Sequence, residues 1–248
     1  IGEEAIKREQ RRDARFVNTA MVATLLGSVS SDQLEDGRVI SGAGGQHDLV
    51  AMAHALDGAR SIIGLRSTRR QNRRTVSNIV WRYANATVPR QLRDIIVTEY
   101  GIADLRGRSD RDVIVEMLKV ADGAFQSGLM EAAQAVGKLE RSFELMPAWA
   151  GNRAARIAAA LASARRDGLL PEFPLGTEMT DVEQALTGPL TLLKSAGYAD
   201  LVRTLGAGLA SGPTPTERAA LERLSLGSAA TMREHAMRAL VLGALRRA

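Results

Sequence analysis

The chain of 248 residues contains no cysteine, which removes disulfides, thiolate nucleophiles, zinc-cysteine sites and iron-sulfur clusters together. Long apolar runs are missing too: none approaches the ~20 residues that a membrane-spanning helix needs. The opening stretch IGEEAIKREQRRDAR is charged where a signal peptide would be apolar. A cytoplasmic setting with no membrane partner is therefore expected. The patterns G-x-S-x-G, H-E-x-x-H and Walker A are absent from the sequence, which disfavours the common hydrolase, metalloprotease and NTPase readings. The chain starts at Ile1 rather than methionine, and the expectation is a piece of something longer.

What is present is ordinary globular composition, 45% hydrophobic and 25% charged, in a length that suits one or two domains, of which two are expected. The net charge of +5 is shared between the halves, so neither is a nucleic-acid arm or an acidic tail. A modest excess of arginine suits an anionic ligand without specifying one.

Up to about residue 127 the pattern alternates. Ala20 to Leu26, Arg38 to Ile40, Ser61 to Leu65, Asn78 to Trp81 and Asp94 to Val97 are short apolar runs, several unbroken as in strands covered on both faces. Gln46 to Leu56 carries Leu49, Val50, Met52, Ala53 and Leu56 at helical spacing, and Ser109 opens a helix with a stripe through Val113, Met117 and Val120. This is an α/β pattern with a mainly parallel sheet. Beyond residue 127 the sequence reads as helix throughout. Asn152 can cap a helix that ends at Gly168, and the spacings Thr180 to Glu183 and Thr214-Pro215 to Glu217 are capping boxes. The segment Gly168-Leu-Leu-Pro-Glu-Phe-Pro174 is expected as a rigid connector. The expected domains are 1–127, α/β, and 128–248, an all-helical extension.

In open α/β sheets, ligands bind beyond the carboxyl ends of the strands. Three runs end there in polar or glycine clusters: Ser41-Gly-Ala-Gly-Gly-Gln-His-Asp48, Arg66-Ser67-Thr68 and Thr98-Glu99-Tyr100-Gly101. Parallel strands would gather all three on one rim. The turn Gly42-Ala-Gly44-Gly45 precedes a helix, so free backbone N–H groups and the positive helix end face a carboxylate, phosphate or oxyanion. A purely structural turn needing positive φ fits the same residues. Glu99, at the end of a buried strand, is expected to be partly desolvated with a raised pKa, suited to acid, base or nucleophilic work. A carboxylate that caps the next loop, or pairs with an arginine of the Arg106 to Arg111 segment, stays open beside it.

His47 and His54 lie on one helical face, yet their spacing and the lack of a third ligand point to core-edge or capping roles, and no metal is expected. The run Arg66, Arg69, Arg70, Arg73, Arg74 has no interleaved aromatics. It reads first as a solvated loop, then as a nucleotide-phosphate contact, and only then as a nucleic-acid site.

Four spaced segments, Phe16-Val-Asn-Thr-Ala20, Ser41 to Asp48, Arg60-Ser-Ile-Ile63 with Ser67-Thr68, and Val97-Thr-Glu-Tyr-Gly-Ile-Ala-Asp-Leu-Arg-Gly107, resemble the C-terminal domain of the acetyl-CoA hydrolase / CoA-transferase family over roughly residues 10 to 127. The resemblance implies a NagB/RpiA/CoA-transferase-like fold, paired α/β domains and an active site between them. It places Asn18 at the active site as an amide donor, Gly44 and Gly45 along the acyl and thioester pocket, and Glu99 as an auxiliary carboxylate. Gly42, Gln46, Ser67, Thr68, Tyr100 and Gly101 are expected around the same substrate. At Val22 and Thr24 the sequence departs from family members, which more often carry acidic residues. The family's nucleophile is a glutamate that forms a glutamyl-CoA thioester, and it is expected upstream; Glu3, Glu4 and Glu9 lack its motif.

The first reading is thus the C-terminal portion of a CoA-transferase or acyl-CoA hydrolase. Acyl-CoA and a small carboxylate or water would be substrates, with no permanently bound cofactor. An upstream N-terminal α/β domain of the same protein and a homo-oligomer are the expected partners, and residues 1–127 are an active-site module incomplete as an enzyme. A non-catalytic CoA-binding or assembly module is the alternative. Nucleic acid is not an expected partner.

Overall fold

The computed structural model describes residues 3–71, 74–171 and 173–247. Its compact units are Ile1–Arg166 and Asp167–Ala248, so the contact boundary falls later than the 127/128 division expected above. The reason is packing: Leu129, Ala133 and Leu139 are buried in the same core as the strands, and the Gly123 N–H donates to the Asn152 carbonyl.

The first unit opens with α1 (Glu4–Gln10) and is built on a four-stranded sheet of β1 (Arg15–Thr19), β4 (Arg60–Gly64), β8 (Ile95–Thr98) and β9 (Gly101–Asp104), in the order β1-β4-β8-β9. The first three strands are parallel, and β9 returns antiparallel on β8. Parallel neighbours need a crossover, and α2 (Gln46–Ala55) supplies the one between β1 and β4. With α3 (Asp110–Lys119) it covers one face. That face buries Ile63, Ile96 and Ala103 against Val50, Val113, Ile114, Met117 and Leu118.

Only that face is fully covered. On the other, Ile62, Ile95 and Val97 are half-buried, while Val17 is 69% and Ile102 59% exposed. The expectation of strands covered on both faces is corrected accordingly. A second small sheet joins β2 (Val22–Thr24) to β3 (Val29–Ser30) and to β7 (Ile79–Val80), and β5 (Thr68–Gln71) pairs with β6 (Arg74–Ser77) as a hairpin. Val22 and Thr24 are buried in β2.

Arg38 to Ile40 is not a strand. Val39 and Ile40 are exposed, and the only ladder contact there among the described residues is the isolated bridge from Gln33 to Val39. Asn152 does not open an α-helix either: its side-chain amide donates to the Lys119 and Ala121 carbonyls, and it closes the 3-10 turn Pro147–Gly151. The helices of that stretch are α5 (Ala154–Ala160), preceded by Arg153, and α6 (Ala162–Arg166), after α4 (Gln126–Ala135).

At the amino end of the sheet, Asp94 is buried and accepts from the Ser61 N–H, Arg60 and Arg106, while Arg60 also reaches Asp104. One carboxylate thus ties β4 to the segments at both ends of the β8–β9 pair. A charge that deep needs such partners. Hydrogen bonding to Asp94 holds the Arg60 guanidinium above its ordinary value.

The second unit contains α7 (Asp181–Ser195), α8 (Tyr198–Leu209), α9 (Pro215–Arg223) and α10 (Met232–Leu245). Thr180, Thr214 and Thr231 open α7, α9 and α10 with complete capping boxes. The expected connector runs into this unit, and its Glu172 lies outside the described residues. No helix among the described residues is long and apolar enough to cross a membrane.

Candidate active site

Because β1, β4 and β8 are parallel, their carboxyl ends form one rim. At β1 that end is Asn18-Thr19. Asn18 stands in register with Ile63, on the helix-covered face of the sheet, and its Nδ2 is buried with no hydrogen-bond partner among the described residues. A buried amide donor left so costs on the order of 1–3 kcal/mol. The donor is free for an incoming acceptor.

The glycine turn reaches the same rim through α2, which begins where β1 ends. The Gln46 side chain donates to the Thr19 carbonyl over 3.1 Å and is itself buried. Gln46 therefore anchors the turn. Gly42, Gly44 and Gly45 are exposed, and a Cβ added to any of them would meet no atom within 4 Å. Only Gly44 has a positive φ, +57°. The turn needs glycine at one position for its backbone, and the open space in front of it is available to a ligand.

Glu99 and Tyr100 are the two residues between the paired Thr98 and Gly101, and so form the tip of the β8–β9 hairpin. Gly101 completes that turn with a φ of +152°, outside the range that side chains favour. Glu99 is exposed, so the partial desolvation expected from its strand-end position is absent within this chain. Its Oε2 accepts the backbone N–H of Ser67 over 2.8 Å. The arginines of the Arg106 to Arg111 segment are engaged elsewhere, Arg106 with Asp94, Arg108 with Glu116 and Arg111 with Glu140.

Ser67 is fully buried, its hydroxyl accepting the Asp122 N–H over 2.7 Å. It supports the rim rather than lining it. Tyr100 donates its phenol to Asp122 over 2.6 Å. Burial, followed by that bond and the Asp122 charge, pushes the phenol's pKa well above its ordinary value. Asp122 carries no sequence signal for this place in the rim, and neither does Asn78, which the sequence marks only as the start of an apolar run and whose amide donates to the Arg66 carbonyl and N–H to that of Ser67.

Glu99 lines an open cleft of about 720 Å³ with Arg66, Thr68, Arg70, Phe125 and Arg153. Arg66 also borders a neighbouring depression of about 340 Å³ beside Ala20 and Met21. It thereby links the Glu99 side of the rim to the end of β1. The arginine run is a hairpin rather than a loop: Arg69 bonds the Ser77 carbonyl and Asn78 Oδ1, and Arg73 lies outside the described residues. The cleft lining carries four arginines around two carboxylates, Glu99 and Asp122, so its field is net cationic. His54 contacts the Leu92 carbonyl, and His47 stands exposed beside Asp48.

Comparison with known proteins finds relatives for the first part of the chain. The model of the acetyl-CoA hydrolase/transferase C-terminal domain matches residues 2–133. The probable butyrate:acetyl-CoA coenzyme A-transferase of Syntrophomonas wolfei is 35% identical over 121 residues, 48% of this chain and 27% of that protein. The 4-hydroxybutyrate coenzyme A transferase of Clostridium kluyveri is 30% identical over 115 residues, 46% and 27% of the two. The chain thus spans little more than a quarter of these relatives. Among solved structures, RipA from Yersinia pestis is 32% identical over 49% of this chain and 27% of that one, with a TM-score of 0.44.

Proposed function

This chain belongs to the acetyl-CoA hydrolase/transferase family through its C-terminal domain, and from that premise we propose that its rim is half of an acyl-CoA thioester site in a CoA-transferase or acyl-CoA hydrolase. The observation that carries the reading is the buried amide of Asn18 at the carboxyl end of β1, which has no hydrogen-bond partner among the described residues. A donor held there suits the carbonyl oxygen of a thioester, where negative charge develops on attack. Gly44 and Gly45 line the acyl side with the open helix end, and Thr68, Tyr100 and Gly101 shape the side around Glu99.

The covalent step belongs to a glutamate on an N-terminal α/β domain of the same protein. Its carboxylate attacks the acyl-CoA carbonyl, giving an acyl-glutamyl anhydride and CoA thiolate. The thiolate then attacks the glutamyl carbonyl and expels the acyl carboxylate, which leaves glutamyl-CoA. A second carboxylate takes the CoA by the reverse sequence, or water releases it. Glu4 and Glu9 are exposed on α1, in a charged setting unsuited to that role. Glu99 acts as auxiliary acid or base.

In this reading residues 1–127 carry the NagB/RpiA/CoA-transferase-like fold, 128–166 pack onto its core as the first part of the helical extension, and the extension continues to 248, in a cytoplasmic homo-oligomer. The exposed Val17 and Ile102 on the uncovered sheet face support an additional domain against it. CoA and acyl-CoA are substrates, with no resident cofactor.

The test is Glu99→Gln in the enzyme that carries this segment. Glutamine keeps the shape but exchanges no proton, so kcat should fall on the order of 10²-fold or more with the melting temperature little changed. Wild-type turnover in the variant would remove Glu99 from the chemistry. The chain by itself should transfer no CoA from acyl-CoA to acetate; turnover of about 1 per second or more would place the nucleophile within it.

A further inference from the structure

Glu99 sits on a two-residue hairpin tip, where a glutamate left to itself would sample several rotamers. Holding such a side chain in one geometry costs side-chain entropy. The Ser67 N–H provides the hold, donating to Oε2 over 2.8 Å, and Oε1 accepts no hydrogen bond among the described residues. Ser67 lies 32 positions away in sequence. Something must therefore fix Ser67 against the hairpin.

Asp122 does so from the turn after α3. It is 7% exposed and, besides accepting the Phe125 N–H at its backbone carbonyl, makes four hydrogen bonds. Its N–H donates to Ser67 Oγ over 2.7 Å, its Oδ2 accepts the Tyr100 phenol over 2.6 Å, and its Oδ1 accepts the Ala124 N–H and Arg153 over 2.9 and 3.0 Å. Two of these reach the residues on either side of Glu99: the one that donates to its carboxylate and the one that follows it in the chain. Charge balance with Arg153 accounts for one bond of the four, and the Ala124 contact is a local turn. Neither requires the Ser67 and Tyr100 bonds, which span 55 and 22 positions.

We propose that Asp122 is a positioning residue for the Glu99 carboxylate, acting through Ser67 on one side and Tyr100 on the other. The inference rests on the reading of Glu99 as an active-site carboxylate, and supplies the rigid support such a group needs. The bond from Ser67 is charge-assisted and shorter-ranged than the cleft field, so a small displacement of Ser67 loses it. The loop carrying Arg66 and Ser67 and the hairpin tip then move as one unit.

The experiment is amide NMR on the full chain, with no thioester present. Glu99→Gln sets the Ser67 amide shift expected when the charge-assisted bond is weakened. Asp122→Ala keeps the backbone N–H that donates to Ser67 Oγ and removes the carboxylate's bonds to Tyr100, Ala124 and Arg153. The Ser67 amide proton should therefore move upfield from its wild-type position, by less than in Glu99→Gln, and exchange faster with solvent. Asp122→Asn, which keeps an acceptor for the Ala124 N–H, should lie between Asp122→Ala and wild type, and Tyr100→Phe should move Ser67 in the same direction by less. An unmoved Ser67 amide in a folded Asp122 variant overturns the proposal. Loss of the whole spectrum in both Asp122 variants, with Ser67 unmoved in Tyr100→Phe, overturns it too, since Asp122 would then serve folding alone. A chain that responds as expected but ignores acetyl-CoA would keep the network and reject the proposed function.

Discussion

Tyr100 donates its phenol proton to the Asp122 carboxylate across 2.6 Å, joining the tip of the β8–β9 hairpin to the turn after α3. Burial and then that carboxylate, with Glu99 adding charge of the same sign and Arg153 opposing, keep the phenol protonated beyond its ordinary range. Asp122→Asn removes a negative charge that disfavours phenolate, so Tyr100 should ionise at lower pH, toward the ordinary ~10. Ring NMR titration checks this, with Tyr83 and Tyr198 as internal references. A Tyr100 titration that is unchanged or displaced upward contradicts it.

Acid should weaken the first unit through Asp110. Hydrogen bonds from Lys138, then Arg93 and Arg90, hold its carboxyl far below the usual range, and it stands in the first turn of α3, where the helix end also favours negative charge. A lowered folded pKa contributes stability above the ordinary carboxylate value of ~4, and that contribution is lost as pH falls below it. Asp110→Asn should therefore melt lower than wild type at pH 7 and show a smaller further loss between about pH 5 and 2. Thermal unfolding at several pH values measures both, and parallel curves for the two proteins would count against the argument.

Helices α8 and α10 approach at backbone distance. A Cβ on Gly243 would overlap the Thr204 carbonyl, and one on Gly208 the Ala239 carbonyl. Gly243→Ala should cost the helical unit about 1–3 kcal/mol, read as a loss of hydrogen-exchange protection on the order of 10-fold or more in α10. Amides of β4 and β8, in the other unit, should keep theirs. Unchanged protection in α10 would show that the helices can part without cost.

The parts legible in the sequence are those whose cause is local. The apolar runs of β4 and β8, the buried stripe of α3 and the boxes at Thr180 and Thr214 all follow from residues within a few positions of one another. Thr231 and Glu234 carry the same signal for α10. β1 was not expected, because as an edge strand its burial only reaches half and its first residue is an exposed arginine. Arg38 to Ile40 is the converse, apolar in sequence but left exposed with a single bridge. Asn152 looks like a cap, yet carbonyls more than thirty positions away take its amide.

At the site, a strand end and a glycine turn single out Glu99 and Gly44 without reference to the fold. The hold on Glu99 is of another kind. Ser67 and Asp122 are serviceable loop residues in sequence, and their part in the rim arises from pairings across 32 and 55 positions. No periodicity encodes those.

The central claim is that this rim is a preformed half of an acyl-CoA site, and calorimetric titration of the chain with acetyl-CoA tests it most directly. The account predicts weak, saturable binding, with a Kd of about 1 mM or below. Gly44→Val, which forces a branched side chain into a positive φ and the open space before α2, should weaken it. No detectable heat up to millimolar acetyl-CoA, or binding that Gly44→Val leaves untouched, would contradict the claim.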